Sequence, residues 1–476
     1  MTDVSPAPAV TAAAILARLD RLPRRAVASA ATGITGLVMF FVFYGNFDIN
    51  VSFIQTCAQI QPGCTPPTAQ QWLTLPVVLY LLGYLFGGLV IAPISDRVGR
   101  PKALLVTVAF GVVGSVITAL ATGYPVFVIG RAITGVALGG SLPIANTFIG
   151  EIAPAKARAK YTAITFVACA AGAMAGIWAG LIATTPPAPF PEGLPFAIGF
   201  DSGWRWMYGV AVLLGLAALA ATTRLPESPR WLIEHGRVAE ADAIVSTLER
   251  KALRRGPLPE PAATIVIPEH TPESAAYREL LGTARYRKRT LLLIAVWFTG
   301  YATVFGYSTG STVVLTSLDF SPPVAGMITA VGGIGFFVQG LFSARWSEKL
   351  ERRYWLPIGA GLTVLGSVIV AQLGDSIGWA FVGSFLVFFG FNVWVPPTFA
   401  LSAESFPTRV RSAGFGLVDG VGVLGGAAGI LVIAPLVPHL SPLAALLMIS
   451  GFLVVAAVLA QFTPRTRNRA LEDVSP

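Results

Sequence analysis

Charge is scarce in this chain. Only 12% of its 476 residues are Asp, Glu, Lys or Arg, about half the fraction usual in soluble domains. Histidine is rarer still: His235, His270 and His439 are scattered and lie outside the apolar runs. The three cysteines, Cys57, Cys64 and Cys169, share no metal-ligand spacing with them. A phosphate-cradling GxxxxGK[ST] loop is absent, and no nucleophile–base pair stands out in spans or loops. These absences argue against an enzyme, against ATP-driven work and against any cofactor.

Apolar sequence is what the chain has in quantity, at 54% hydrophobic. Runs of about 20 residues, the length that crosses a hydrocarbon core, fall near 27–49, 73–94, 103–121, 124–148, 160–182 and 206–222. Six more follow near 290–311, 324–343, 355–374, 378–402, 413–436 and 442–462. Fifty glycines suit close helix packing in lipid, where small residues let backbones approach. The expected architecture is an all-α membrane protein with twelve transmembrane helices. It divides into a tail 1–26, a six-helix bundle 27–222, a linker 223–289 with amphipathic helices, a second bundle 290–462 and a tail 463–476. Residues 1–26 place their arginines after the apolar part, unlike a secretory leader. They read as a short surface-lying helix or as a disordered tail.

The net charge of +9 invites a nucleic-acid reading, which its distribution opposes. With the N-terminus inside, 31 of the 33 Lys and Arg fall in the tails, the even-numbered loops and the linker. This positive-inside asymmetry places both termini in the cytoplasm. The exceptions are Arg131, within a run, and Arg205, in an outer loop. The expected setting is a plasma membrane, or an inner membrane if the source is bacterial. The partners are then the lipid bilayer and a small solute, with no nucleic acid, and the chain is expected as a monomer. Cys57 and Cys64 share the first outer loop, and either a disulfide or two free thiols fits there. Cys169 reads as a small packing residue in a Gly/Ala-rich span.

Two signatures occur twice. Glu151-Ile-Ala-Pro154 with Arg158 returns as Glu404-Ser-Phe-Pro407 with Arg411, and Ser95 to Arg100 is echoed by Ser347 to Arg352. The offsets are 253 and 252 residues. The chain therefore reads as two similar halves in one orientation, with a solute pathway between them.

Ala92 to Lys102, APISDRVGRPK, resembles the loop between spans 2 and 3 of the major facilitator superfamily, with Ala92 in place of the usual Gly. Pro226 to Leu232, PESPRWL, is similar to the signature of its sugar porters and related metabolite symporters. Arg131 with Gly135, Gly139 and Gly140 resembles the span-4 pattern. The resemblance implies the major facilitator fold, two six-helix pseudo-repeats, and transport by alternating access. It also implies that spans 1, 4, 7 and 10 line the pathway.

Acid–Arg clusters at helix ends suit an inner gate that pairs when that face is closed and separates when the halves rock. Asp96, Arg97, Arg100, Glu151, Arg158, Glu227 and Arg230 are expected in the first half. Glu348, Arg352, Glu404 and Arg411 form their counterpart. Within the spans, ionisable residues are costly enough to be paired or functional, and three stand there: Asp48, Arg131 and Asp419. All three are candidates for proton coupling. Phe47-Asp48 resembles the acidic span-1 motif of metabolite:proton symporters, and a desolvated carboxyl can load and release a proton. Its other reading is a cap on the end of span 1. Arg131 is expected to grip a substrate carboxylate or the proton-carrying acid, or else to snorkel to the outer surface. Asp419 is either a cavity acid or a partner for a helix terminus.

Further substrate contacts are expected from Asn46, Asn146, Tyr301, Tyr307, Gln339, Asn392 and Trp394. Span 7 carries Gly300, Gly306 and Gly310, a run expected to unwind locally over the substrate. The functional expectation is a secondary active transporter: proton symport that imports a small organic metabolite, with an organic acid favoured. A passive uniporter of a sugar and a transporter-like nutrient sensor are the rivals.

Overall fold

The structure is a computed structural model that describes residues 11–23, 29–154, 158–261, 273–317, 319–407 and 410–467. Twelve of its helices are long and apolar enough to cross a membrane. The first six, spans 1 to 6, are Ala30–Phe47, Pro66–Val98, Arg100–Ala119, Tyr124–Ile152, Tyr161–Thr184 and Gly203–Thr222. Spans 7 to 12 are Ala284–Thr316, Pro322–Trp346, Arg352–Leu373, Ile377–Glu404, Ala413–Leu436 and Pro442–Ala460. The helix Ala12–Asp20, the described linker helices and residues 463–467 lie at the end of the bundle that carries the Asp96–Arg100 and Glu348–Arg352 loops, here the basic face. The Cys57–Cys64 loop marks the far face, and the structure joins these two cysteines as a disulfide.

The two halves repeat one packing scheme. Span 4 packs on spans 2 and 3, span 5 on span 1, and span 6 on span 3. In the second half span 10 packs on spans 8 and 9, span 11 on span 7, and span 12 on span 9. Glycine makes these contacts possible by removing the atom that would hold the backbones apart. A Cβ at Gly139 would stand 1.9 Å from the Tyr84 carbonyl oxygen, and one at Gly425 only 1.8 Å from that of Phe298. Between the halves, span 5 lies along span 8, span 2 along span 11, and span 1 meets span 7.

Three elements depart from expectation. Span 1 does not end near residue 49: after Ser29–Phe47 the chain breaks at Asp48 and continues as a second helix, Ile49–Ile60. Asp48 is thus deep in the bundle. Span 7 does not unwind at its glycines but runs as one helix, Ala284–Ser317. Gly300 serves close approach instead, since a Cβ there would meet the Trp394 ring at 2.5 Å. The unbroken i to i−4 ladder keeps every backbone group satisfied where no water is available. The break appears in span 10 at Trp394, just before Pro396 and Pro397, where the prolines cannot donate to the preceding turn.

The N-terminal segment is neither surface-lying in lipid nor disordered over residues 12–20. Ala12–Asp20 is a helix whose Ile15 and Leu19, with Leu22 just beyond, pack on Trp231, Val245 and Leu248 of the linker. The linker helices themselves are Pro229–Glu234 and Val238–Leu253. Glu249 accepts from Arg18 at 2.6 Å and from Arg21 at 2.5 Å. Burial pushes the Glu249 carboxyl up, but these hydrogen bonds and charges outweigh it and hold the net value below the ordinary range.

A lowered carboxylate pKa contributes stability above the unfolded value and loses it as pH falls through the folded one. Docking of the N-terminal helix is therefore expected to hold from neutral pH down to about pH 4.3, the unperturbed Glu value, and to fail progressively below it. Protease protection of residues 11–23 across a pH series checks this; loss of protection already at pH 6 would contradict it. A second expectation concerns packing. Gly139→Val forces spans 2 and 4 apart and should destabilise the bundle by about 1–3 kcal/mol, the usual range for overpacking. Thermal unfolding of the purified protein measures it.

Candidate functional site

Asp48 and Arg131 find each other. The Arg131 Nη1 donates to Asp48 Oδ1 at 2.9 Å, and its Nη2 donates to the Gly45 carbonyl at 2.8 Å. The two side chains are 1% and 2% exposed, so this is an ion pair sealed inside the first half. The guanidinium also lies over the rings of Tyr80 at 5.0 Å and Tyr208 at 5.8 Å, contacts that strengthen when water is excluded. Both bland readings fail on this geometry. Asp48 makes no capping bond at the helix break, and Arg131 does not reach the surface. Of the two expected grips of Arg131, the structure shows the one on the buried acid: Nη1 holds Asp48 and Nη2 the Gly45 carbonyl. Around the pair, Arg131 Nε, Tyr80 Oη and Asn46 Oδ1 are buried without a hydrogen-bond partner.

Asp419 has a different surrounding. It accepts from Tyr301 Oη at 2.6 Å and from Tyr84 Oη at 3.3 Å, and forms no ion pair among the described residues. Tyr84 belongs to span 2 and the other two to spans 7 and 11, so the carboxylate joins the halves. Its hydrogen-bond partners among the described residues are two phenols, one on each oxygen, and no helix terminus.

Asn50, two residues past Asp48, links the halves through five hydrogen bonds to span 7. Its Nδ2 donates to the carbonyls of Tyr307 at 3.0 Å and Ser308 at 2.9 Å. Its Oδ1 accepts from Thr312 N at 3.1 Å and Ser311 Oγ at 3.2 Å. One amide thus ties the far ends of spans 1 and 7.

The remaining predicted contacts are mostly turned to the protein. Tyr307 Oη meets Ser367 Oγ at 2.9 Å and Ser450 Oγ at 3.1 Å within the second half. Asn392 donates to Gln339 Oε1 at 2.8 Å, and Gln339 donates to Ser343 at 2.5 Å. Trp394 packs on Trp297 with ring centroids 5.1 Å apart, and its Nε1 is buried without a partner. Asn146 is half-buried on span 4. Trp297 was missed; its Nε1 donates to Ser402 at 2.9 Å.

On the basic face the charge clusters form within each half. Arg100 pairs with Asp96 at 2.6 Å and with Glu151 at 2.8 Å, while its backbone N–H donates to Glu227 at 3.1 Å. Burial pushes the Glu227 carboxyl up. Gly99, at φ 99°, turns the chain beside Glu227, and a Cβ there would stand 2.1 Å from Glu227 Oε2. In the second half Arg352 reaches Glu404 at 3.4 Å. Arg230 pairs with Asp20 of the N-terminal helix at 3.0 Å. Arg97 is exposed, and Glu348 uses its carbonyl to accept from Arg467. The side chains of Arg158 and Arg411 lie outside those described. In this structure the pairs expected at the inner gate form within each half and not across the two: Arg100 with Asp96 and Glu151, and Arg352 with Glu404. Arg205, the outer exception, donates to the carbonyls of Ala119 and Ala121 at the end of span 3, where a cation complements the helix terminus.

Removing one member of a buried pair leaves an uncompensated charge, which costs about 3–5 kcal/mol. Arg131→Met should therefore be strongly destabilised, and adding Asp48→Asn should recover most of the loss. A double-mutant cycle by thermal unfolding measures the coupling; equal destabilisation of the single and double variants would refute it.

The pattern of the sugar (and other) transporter family matches residues 25–476. A putative metabolite transport protein, YyaJ of Bacillus subtilis, is 27% identical over 95% of this chain and 96% of its own length. The glucose transporter GlcP of Staphylococcus epidermidis is 26% identical over 83% of this chain and 86% of its own. The solved proton:xylose symporter XylE has the same fold, with a TM-score of 0.69 and 20% identity over 94% of this chain and 98% of that one. Halves built alike, charges sealed within them and polar groups shared between them are the parts of a carrier, and the chain belongs to the sugar (and other) transporter family: a multi-pass membrane transporter of the major facilitator fold, not an enzyme.

Proposed function

We propose that this protein is a secondary active symporter that imports a small, neutral, hydroxyl-rich solute together with protons. The Asp48–Arg131 pair carries the proposal. A carboxylate buried against a guanidinium, at a helix break and two residues from the amide that links the halves, can convert proton binding into movement. With the far face open, Asp48 takes a proton and its charge on Arg131 is lost. The guanidinium then rests on the Gly45 carbonyl and the faces of Tyr80 and Tyr208. Solute binds near midplane between the halves, where Asn46 keeps an open acceptor. The halves rock, Asn50 closes the far end of span 1 on span 7, and proton and solute leave at the basic, cytoplasmic face.

A sugar or polyol replaces the organic acid expected from the sequence. The reason for an acid was a guanidinium available to a carboxylate, and Arg131 is already engaged. The family and the glucose-transporting relative support the same class. The residues Asp419, Tyr84 and Tyr301 supply acceptor and donor groups suited to hydroxyls, and Trp394 and Trp297 supply flat apolar faces for a pyranose ring.

Proteoliposomes with an imposed acid-outside gradient test the reading with labelled glucose and xylose. Concentrative uptake is expected in the wild type. Asp48→Asn should abolish it while sparing counterflow exchange. Unchanged concentrative uptake in that variant would overturn proton coupling through Asp48, gradient-independent equilibration would make the protein a uniporter, and binding without flux would make it a sensor.

A further inference from the structure

The N-terminal helix is joined to the basic-face machinery more firmly than a tail needs to be. Arg18 donates to Glu249 through Nε at 2.9 Å and Nη2 at 2.6 Å, to Ser246 at 2.8 Å, and pairs with Asp242. Arg21 donates to the other oxygen of Glu249 at 2.5 Å. Two guanidiniums therefore share one carboxylate that is 9% exposed. Beneath them Ile15 and Leu19 are fully buried against the linker helices. Sharing of this kind is stronger than an exposed surface pair, because both partners are largely removed from water.

The contact leads onward to the transport domain. Asp20 at the end of the N-terminal helix pairs with Arg230 of the segment that follows span 6. The next residue, Trp231, donates its indole N–H to the Asp96 carbonyl at 2.8 Å, and Asp96 pairs with Arg100. Arg100 in turn holds Glu151 at the end of span 4 and, through its backbone N–H, Glu227. An unbroken series of polar contacts thus runs from residue 18 to the basic end of span 4. All its members belong to the N-terminal helix, the linker helices or the first half.

We propose that the N-terminal helix is a brace that locks the linker helices Pro229–Glu234 and Val238–Leu253 to the first half and so sets how readily the basic face opens. With the brace in place, the ends of spans 2, 4 and 6 and the linker move as one body, and the second half closes against a rigid surface. Without it, the linker helices swing on the short segment after span 6, and the closed basic face loses part of its surface. The brace acts on the conformational equilibrium, so it is independent of which solute is carried and of how transport is driven.

The test uses the full-length chain with a reporter cysteine, Asn146→Cys, on the basic half of span 4, and follows its alkylation by a permeant maleimide. Reversing the charges with Arg18→Glu and Arg21→Glu should speed alkylation at least three-fold. Adding Glu249→Arg to that pair should bring the rate back to within two-fold of the starting protein, because the shared contact is re-formed with opposite signs. Deleting residues 1–22 should speed alkylation as the double reversal does, and gel filtration of each variant confirms a folded bundle. An unchanged alkylation rate in both the reversal and the deletion overturns the brace, as does failure of Glu249→Arg to restore the reversal.

Discussion

A charge placed inside an apolar bundle has to find its opposite inside the same bundle, and most of this structure follows from that constraint. Desolvating an ion in a low-dielectric interior costs several kcal/mol even after relaxation. Asp48 and Arg131 meet it jointly, on spans 1 and 4 of one half. To bring them together, span 1 must break at residue 48 and continue as Ile49–Ile60. That break turns Asn50 towards span 7, where five hydrogen bonds join the two. One ion pair thus shapes a helix, and the helix sets the contact between the halves.

The halves are held by different chemistry inside and between. Within each half, glycine lets backbones approach at the same relative positions, as at Gly172 of span 5 against Phe40 of span 1 and Gly425 of span 11 against Phe298 of span 7. Those contacts are made of steric fit, and small rotations would destroy them, so each half is a rigid unit. Between halves the polar links among the described residues are few and none is an ion pair: chiefly Asn50 on span 7 and Tyr84 with the Asp419 carboxylate. Such bonds are worth about 1–3 kcal/mol each, weak enough to be exchanged in the rocking motion proposed above. Rigid bodies with a soft seam are what alternating access requires.

Part of the site is legible in the amino-acid sequence. Asp48, Arg131 and Asp419 declare themselves because ionisable residues are rare in apolar runs. Asn50 does not, since an amide in a span carries no comparable cost and nothing in its neighbours reveals what it faces. The glycines of span 7 suggest unwinding, yet local sequence does not distinguish a glycine that bends a helix from one that admits Trp394. The duplicated acid–Arg motifs announce their position at helix ends correctly, but their partners depend on which span each loop lies beneath.

Periodicity and charge asymmetry operate over single segments. The order of residues along the chain was therefore enough to set the number of spans, their approximate limits, the two-fold repeat and the basic face. Partner choice is a matter of distances between segments far apart in the chain, and it was settled by packing alone. Packing joined Asp48 to Arg131 across 83 residues, Arg18 to Glu249 across 231 and Tyr84 to Asp419 across 335. An apolar run is specified by its own composition, whereas an ion pair or hydrogen bond is specified by what the fold brings within about 3 Å of it.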